Sequence, residues 1–432
     1  MNDSEETRRL DTIRFGTEAE IATLIQTLKS DTNADIGGAL DDALVSVAEK
    51  THNQNILSGI LAFFGDRDKA GLQERAVRAI EERDDEANST VIAALDYLGK
   101  VKAAAAIPTL KDILDANEPR FVDSALRALG RAANGGGSVS DDAAEYLLDY
   151  YDTQTPTDEN RRAILIALGE TGSKKGLSLL IDITESDDER PTVRMAALDS
   201  LAKLADDEAL DAILSATSAT DTNVRASAIA ALGPFSGQQA DDAILEGFRD
   251  SFFRTRIGSA KAAGARKLAA AVPYLRYRAE RDEVVAVKDE AIRALGAINS
   301  SDSMKALEEL FVNRKIAERV RHLAAEMLIK NNADAYADKL ITEIEEAKKA
   351  NYTSLYNGFL RVLGKAKTGK VENMARTLLA SKEITEKAYA LDLAADNNFS
   401  SLVPEIRTLA SDTKNSGLAR KAQRTLEKMG VN

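Results

Sequence analysis

One motif recurs along the chain: an Ala-rich apolar stretch that closes on Leu-Gly or a near equivalent. The segment Val224-Arg225-Ala226-Ser227-Ala228-Ile229-Ala230-Ala231-Leu232-Gly233 shows it in full. Glycine also follows Phe64, Leu98, Leu129, Leu168, Ala263, Leu295 and Leu363, while Ala202, Ile329, Ala394 and Glu427 fill the same position elsewhere. Successive spacings are 34, 31, 39, 33, 31, 31, 32, 33, 35, 30 and 33 residues. So steady a period marks an array in which each unit buries its apolar face against its neighbours. It replaces the two or three separate domains that a length of 432 residues otherwise suggests.

Each step has room for two helices of about ten residues and two short turns, so the unit is a helical hairpin. Its second helix places larger residues at i, i+4 and i+8, as in Val224, Ala228 and Leu232 or Val320, Ala324 and Leu328. Small side chains between them let the next unit approach closely. The closing Gly is expected in a left-handed helix cap. Pro108, Pro273 and Pro404 fall nine, nine and ten residues after a repeat end. Three of only seven prolines in one register point to the first turn of the first helix, where a missing N–H removes no hydrogen bond.

A Pro-marked first helix followed by Asp221-Thr222-Asn223-Val224-Arg225 and Ala231-Leu232-Gly233 resembles HEAT repeats, especially the shorter HEAT-like repeats of the bilin-lyase type. The stretch from Val287-Lys288-Asp289 to Ala294-Leu295-Gly296 repeats that resemblance. It implies an all-α fold, a right-handed α-solenoid of about 12 to 13 HEAT-like hairpins, with second helices on the concave face. Residues 1–30 are expected to form N-terminal capping helices, 31–409 the array, and 410–432 a C-terminal capping helix. A Gly-rich loop near 134–142 should be a flexible connection with no strand before it, hence no phosphate cradle. An additional helix from Asp142 to Tyr151, with Tyr146, Tyr150 and Tyr151, could make it a contact site.

Hydrophobic content of 44% with 29% charged residues excludes wholesale disorder. With 5% aromatic residues and no Trp, the core must rest on Ala, Leu, Ile and Val. The absence of Cys excludes disulfides, thiolate metal sites and a cysteine nucleophile. His52 precedes Asn53 and His322 precedes Leu323, so the paired His-Glu motifs of HEAT-like metal hydroxylases are missing. Asp66-Arg67-Asp68-Lys69 starts like a calcium loop, but Ala70 and Val77 stand where ligands are needed. No metal, cofactor or catalytic residue is expected. No apolar run is long enough to span a bilayer. The Cys-free composition and polar start favour an exported or periplasmic chain with its leader removed over a cytoplasmic one.

Two sets of residues carry candidate chemistry. Eight positions before each repeat end stand Arg161, Arg194, Arg225, Arg256, Lys288 and Arg321, a basic ladder that stacking should align. Its structural reading pairs each cation with a carbonyl or acid at the turn, with Asp158, Asp188, Asp221 and Glu318 as candidates. The second set lies between Phe248 and Arg281, where nine cations face two acids. The net charge there is +7 in a chain of −13 overall. Arg249, Phe252, Phe253 and Arg254 open this segment, Arg266 and Lys267 lie within it, and Tyr274, Arg276, Tyr277, Arg278 and Arg281 close it. Cations among aromatics can bind an acidic peptide, a phosphorylated segment or single-stranded nucleic acid. Alternatively, the aromatics fill an interface and the cations neutralise neighbours.

The function expected is a non-catalytic protein-interaction scaffold or adaptor, a monomer or weak oligomer whose partner is a protein. Two readings stay open: a bilin-lyase-like or chaperone-like HEAT protein, and a nucleic-acid-binding HEAT-like protein. The acidic charge argues against the last.

Overall fold

The computed structural model describes residues 3–30, 38–154, 157–412 and 415–431. Among the described residues there are only helices and turns, with no strand. They group into two compact units, Met1–Phe235 and Ser236–Asn432. The expected array boundary at residue 31 lies outside the described residues, as do residues 1, 2, 413, 414 and 432 of the expected caps.

The first unit begins with α1 (Asp3–Phe15) and α2 (Glu18–Ser30), then α3 (Ala39–Lys50) with α4 (Gln54–Gly65). Next come α5 (Gln73–Glu81) with α6 (Asn88–Lys100), and α7 (Ile107–Asp115) with α8 (Val122–Ala132). The unit ends with α9 (Gly137–Thr153) and α10 (Asp158–Thr171), α11 (Leu177–Glu185) and α12 (Pro191–Leu204), and α13 (Leu210–Ala216) and α14 (Thr222–Ala231). The second helices stack in sequence, each packed on the one before, from α2 to α14.

The second unit pairs α15 (Gln238–Gly247) with α16 (Phe253–Ala265), and α17 (Val272–Arg281) with α18 (Val285–Ile298). It continues with α19 (Ser301–Val312) and the long α20 (Glu318–Lys349), which leaves helical geometry at Asn332 (φ −156°, ψ 85°). The Asn332 side chain accepts from the Ala335 amide at 3.0 Å and so caps the second segment of α20. That segment pairs with α21 (Thr353–Leu363), followed by α22 (Glu372–Leu379) with α23 (Ile384–Asn397), and α24 (Val403–Ala410) with α25 (Ser416–Lys428). Here too the second helices stack in order: α16, α18, the start of α20, α21, α23 and α25. Pro108, Pro273 and Pro404 occupy the first turns of α7, α17 and α24.

The repeat-end glycines do not act as left-handed caps. Gly99, Gly130, Gly169, Gly264 and Gly296 lie inside α6, α8, α10, α16 and α18. The left-handed residue comes three positions later at Lys102, Gly172, Lys267 and Asn299, with φ of 50°, 72°, 53° and 50°. What demands glycine is the neighbouring backbone: a Cβ on Gly130 would stand 2.5 Å from the Ala167 carbonyl oxygen, and one on Gly99 3.0 Å from Ala128 Cα. Glycine is therefore used for close helix approach.

The Gly-rich connection is also shorter than expected. Because α9 begins at Gly137, the proposed additional helix is the first helix of its own hairpin, and the turn proper is residues 133–136. Asn134 fastens that turn, donating to the Glu170 carbonyl at 2.6 Å and accepting from Lys102 Nζ at 2.9 Å. The tyrosines point to neighbours: Tyr146 donates to Asp115 at 2.6 Å, Tyr150 to Asn117 at 3.2 Å, and Tyr151 accepts from Arg161 at 2.8 Å. No described helix is long and apolar enough to cross a membrane.

Candidate functional site

Each ladder cation is the fourth residue of its second helix: Arg161 in α10, Arg194 in α12, Arg225 in α14, Arg256 in α16, Lys288 in α18 and Arg321 in α20. Helical side chains lean towards the N-terminus, so this position reaches back over the turn to where the first helix ends. Carbonyls there lack helical partners and carry the negative end of the helix dipole. Arg194 donates to Thr184 O at 3.1 Å and Arg321 to Phe311 O at 2.8 Å. Arg225 donates to Ala219 O at 3.0 Å, Arg256 to Asp250 O and Ser251 O at 3.0 Å, and Lys288 to Glu280 O at 3.4 Å. Arg161 meets the Tyr151 hydroxyl instead.

The acids expected beside the ladder are mostly not the ones engaged. Arg161 sits 3.8 Å from Asp158 but pairs closely with Glu189. Arg194 takes Asp187 at 2.9 Å in place of Asp188, and Arg321 takes Glu343 at 2.7 Å in place of Glu318. Asp221 instead caps α14 through the Asn223 and Val224 amides. Arg256 forms a bidentate pair with Asp282 at 2.8 and 2.9 Å, and the Asp282 side chain is fully buried. Burial alone would raise the Asp282 pKa, but hydrogen bonds from Arg256 and the Val284 amide, with the charges of Arg256 and Arg278, outweigh it and hold the pKa below the usual value.

The basic-aromatic segment is divided between two ends of its hairpins. Arg266 and Lys267 follow α16, where the chain leaves for the next hairpin. Arg249, Phe252, Phe253 and Arg254 lie at the turn joining α15 to α16, and Tyr277, Arg278 and Arg281 in the last turn and a half of α17. Tyr274 stacks on buried Phe248 at 5.7 Å, with the Arg249 guanidinium 5.6 Å from its ring centre. Phe252 and Phe253 are half-buried and touch edge to face at 5.3 Å.

Most of the segment's charge is answered within the fold. Arg249 pairs with Glu246 at 2.6 Å, Arg266 with Asp241 at 2.5 Å, and Arg276 with Glu280 at 3.2 Å and Glu309 at 2.6 Å. Arg278 reaches Asp282 at 3.3 Å and also donates to the Phe248 carbonyl. Several of these acids lie just beyond the segment; between residues 241 and 283, nine cations face seven acids. Lys261, Lys267 and Arg281 are exposed and make no ion pair among the described residues. Tyr277 is 55% exposed, with the Arg278 guanidinium 5.5 Å from its ring centre.

His322 is half-buried between α20 and α21, its Nε2 3.2 Å from the Leu355 carbonyl and its ring edge-on to Phe359. Burial lowers its pKa, so the neutral ring donates that hydrogen bond. No group of three or more His, Asp or Glu among the described residues could hold a metal ion.

The stacked helical hairpins make this protein a HEAT-repeat solenoid. It belongs to the family described as spirochaete HEAT repeat proteins, whose model matches residues 13–425. No curated protein matches the chain. Similar solved structures include the karyopherin Kap121p alone and bound to the SUMO protease Ulp1p. Each matches at 12% identity and a TM-score of 0.45, over 98% of this chain and 53% of theirs. The chain thus spans about half the length of those structures.

Proposed function

We propose that this protein is a non-catalytic scaffold that holds an acidic segment of a partner protein at the turn end of α15–α18. The observation that carries this reading is the anchor at the end of α17. Tyr277 is more than half exposed beneath an arginine, and the exposed Arg281 follows one helical turn later. Aromatic and arginine side chains are the residue types that dominate binding energy at protein interfaces. The cations already paired with acids hold the surrounding turn in place, while Arg281 is available to an incoming carboxylate.

Arg276 and Arg278 are poor sites for testing this reading, because reversing Arg278 also strikes buried Asp282. The direct test is the double variant Tyr277→Ser/Arg281→Glu, titrated against a fluorescent Glu-rich peptide. Binding by the wild type and its loss in the variant are expected; equal binding by both would exclude this turn as the site.

A further inference from the structure

The turn end described above holds the first two of five turns in the second unit that place an apolar residue at or beside the start of the second helix. Serine, threonine, asparagine and aspartate are the residues that normally cap a helix start. Asn53, Thr157, Asp221 and Asn415 do so for α4, α10, α14 and α25, whereas α6, α8 and α12 have no side-chain cap. In the second unit no side chain caps α16, α18, α20, α21 or α23. At or beside those starts stand Phe253, Val285, Ile316, Tyr352 and Ile384 instead. Val285, Tyr352 and Ile384 are 53%, 58% and 55% exposed, and the other two are half-buried.

Ion pairs tie each of these turns to the next, so they follow one another along a single edge. Arg256 joins the first to Asp282 in the second, and Asp289 joins the start of α18 to Arg319 at the start of α20. Arg314 reaches Glu346 at 3.5 Å, and Lys348 reaches Glu386 at 3.0 Å. The same turns carry exposed Arg254, Arg281, Lys315, Lys349 and Lys382. Glu283, Glu318 and Glu383 are exposed among them, leaving the cations in excess.

We propose that this edge is a docking rail for an extended acidic protein segment with an apolar residue at about every third position. The proposal rests on the scaffold reading and extends it from two turns to five. Neighbouring helices pack about 8–10 Å apart. A segment in polyproline-II geometry rises about 3.1 Å per residue with three residues per turn, so residues i and i+3 share one face and three residues span one hairpin. An apolar side chain every third residue meets one apolar residue per turn, and intervening acids meet the cations. Charge complementarity selects an acidic occupant, and the threefold repeat of polyproline-II geometry keeps its apolar side chains on the side of the rail.

The test uses the full chain and fluorescence anisotropy with a labelled peptide of repeated Leu-Asp-Glu triplets. A peptide of the same composition with its leucines clustered and a labelled oligothymidylate serve as the other probes. The phased peptide is expected to bind about tenfold more tightly than the clustered one. Tyr352→Ser/Ile384→Ser should weaken the phased peptide by a similar factor, and Tyr277→Ser/Arg281→Glu should weaken it as well. If only the latter variant weakens binding, the rail is wrong and the scaffold reading stands. If neither variant changes peptide binding, both fall. Equal affinity for the two peptides overturns the rail, as does tighter binding of the oligonucleotide.

Discussion

Asp282 holds its carboxylate against Arg256 and Arg278, buried from solvent, and neither neighbour has a substitute partner of equal quality. Removing one side of such a pair leaves a buried charge unanswered, so Asp282→Ala should cost about 3–5 kcal/mol in urea unfolding. Because its pKa is lowered on folding, the stability it contributes is present above the ordinary value of about 3.9 and is lost as pH falls through the folded value. His322 has the same sign for a different reason. Burial lowers its pKa, so its contribution is present above about 6.5 and is lost on acidification. The thermal midpoint should therefore fall between about pH 7.5 and 5.5, and His322→Gln should flatten that fall; an unchanged slope would contradict the assignment. Gly130→Ala forces a Cβ against the Ala167 carbonyl and should destabilise by about 1–3 kcal/mol, with the largest loss of amide protection in α8 and α10.

Helix order, hairpin pairing and the Pro-marked first turns were legible in the sequence, because they follow from local periodicity and backbone chemistry. The role of the repeat-end glycines was not, since it depends on the backbone of the next hairpin, as with Gly130 and Ala167. The partners of the basic-aromatic segment were hidden for the same reason: Arg276 has only Glu280 near it in sequence until α19 brings Glu309 to 2.6 Å. The uncapped starts of α16, α18, α20, α21 and α23 were visible as Phe253, Val285, Ile316, Tyr352 and Ile384, yet only a known helix boundary gives those residues meaning. Their cost can be measured at one end of the row. Glu383 precedes α23 in extended geometry (φ −83°, ψ 124°) without capping it. Glu383→Asp preserves the charge and supplies a cap, and should stabilise the protein by about 0.5–1 kcal/mol in urea unfolding. No gain would mean the bare helix start costs little.

At the scale of the whole molecule, the repeats build two compact stacks of second helices, and the charged side chains chiefly bind one hairpin to the next. The net charge of −13 thus averages over turns of the second unit where exposed cations outnumber exposed acids. The central claim is that the turn edge of the second unit holds an extended acidic partner in register with its hairpins. Hydroxyl-radical footprinting with the phased Leu-Asp-Glu peptide tests it most directly, because Tyr277, Tyr352 and Ile384 are exposed reporters on that edge. Protection of all three, with Phe15 on α1 unchanged, is the result expected. Protection absent from Tyr352 and Ile384 while the peptide is bound would contradict it.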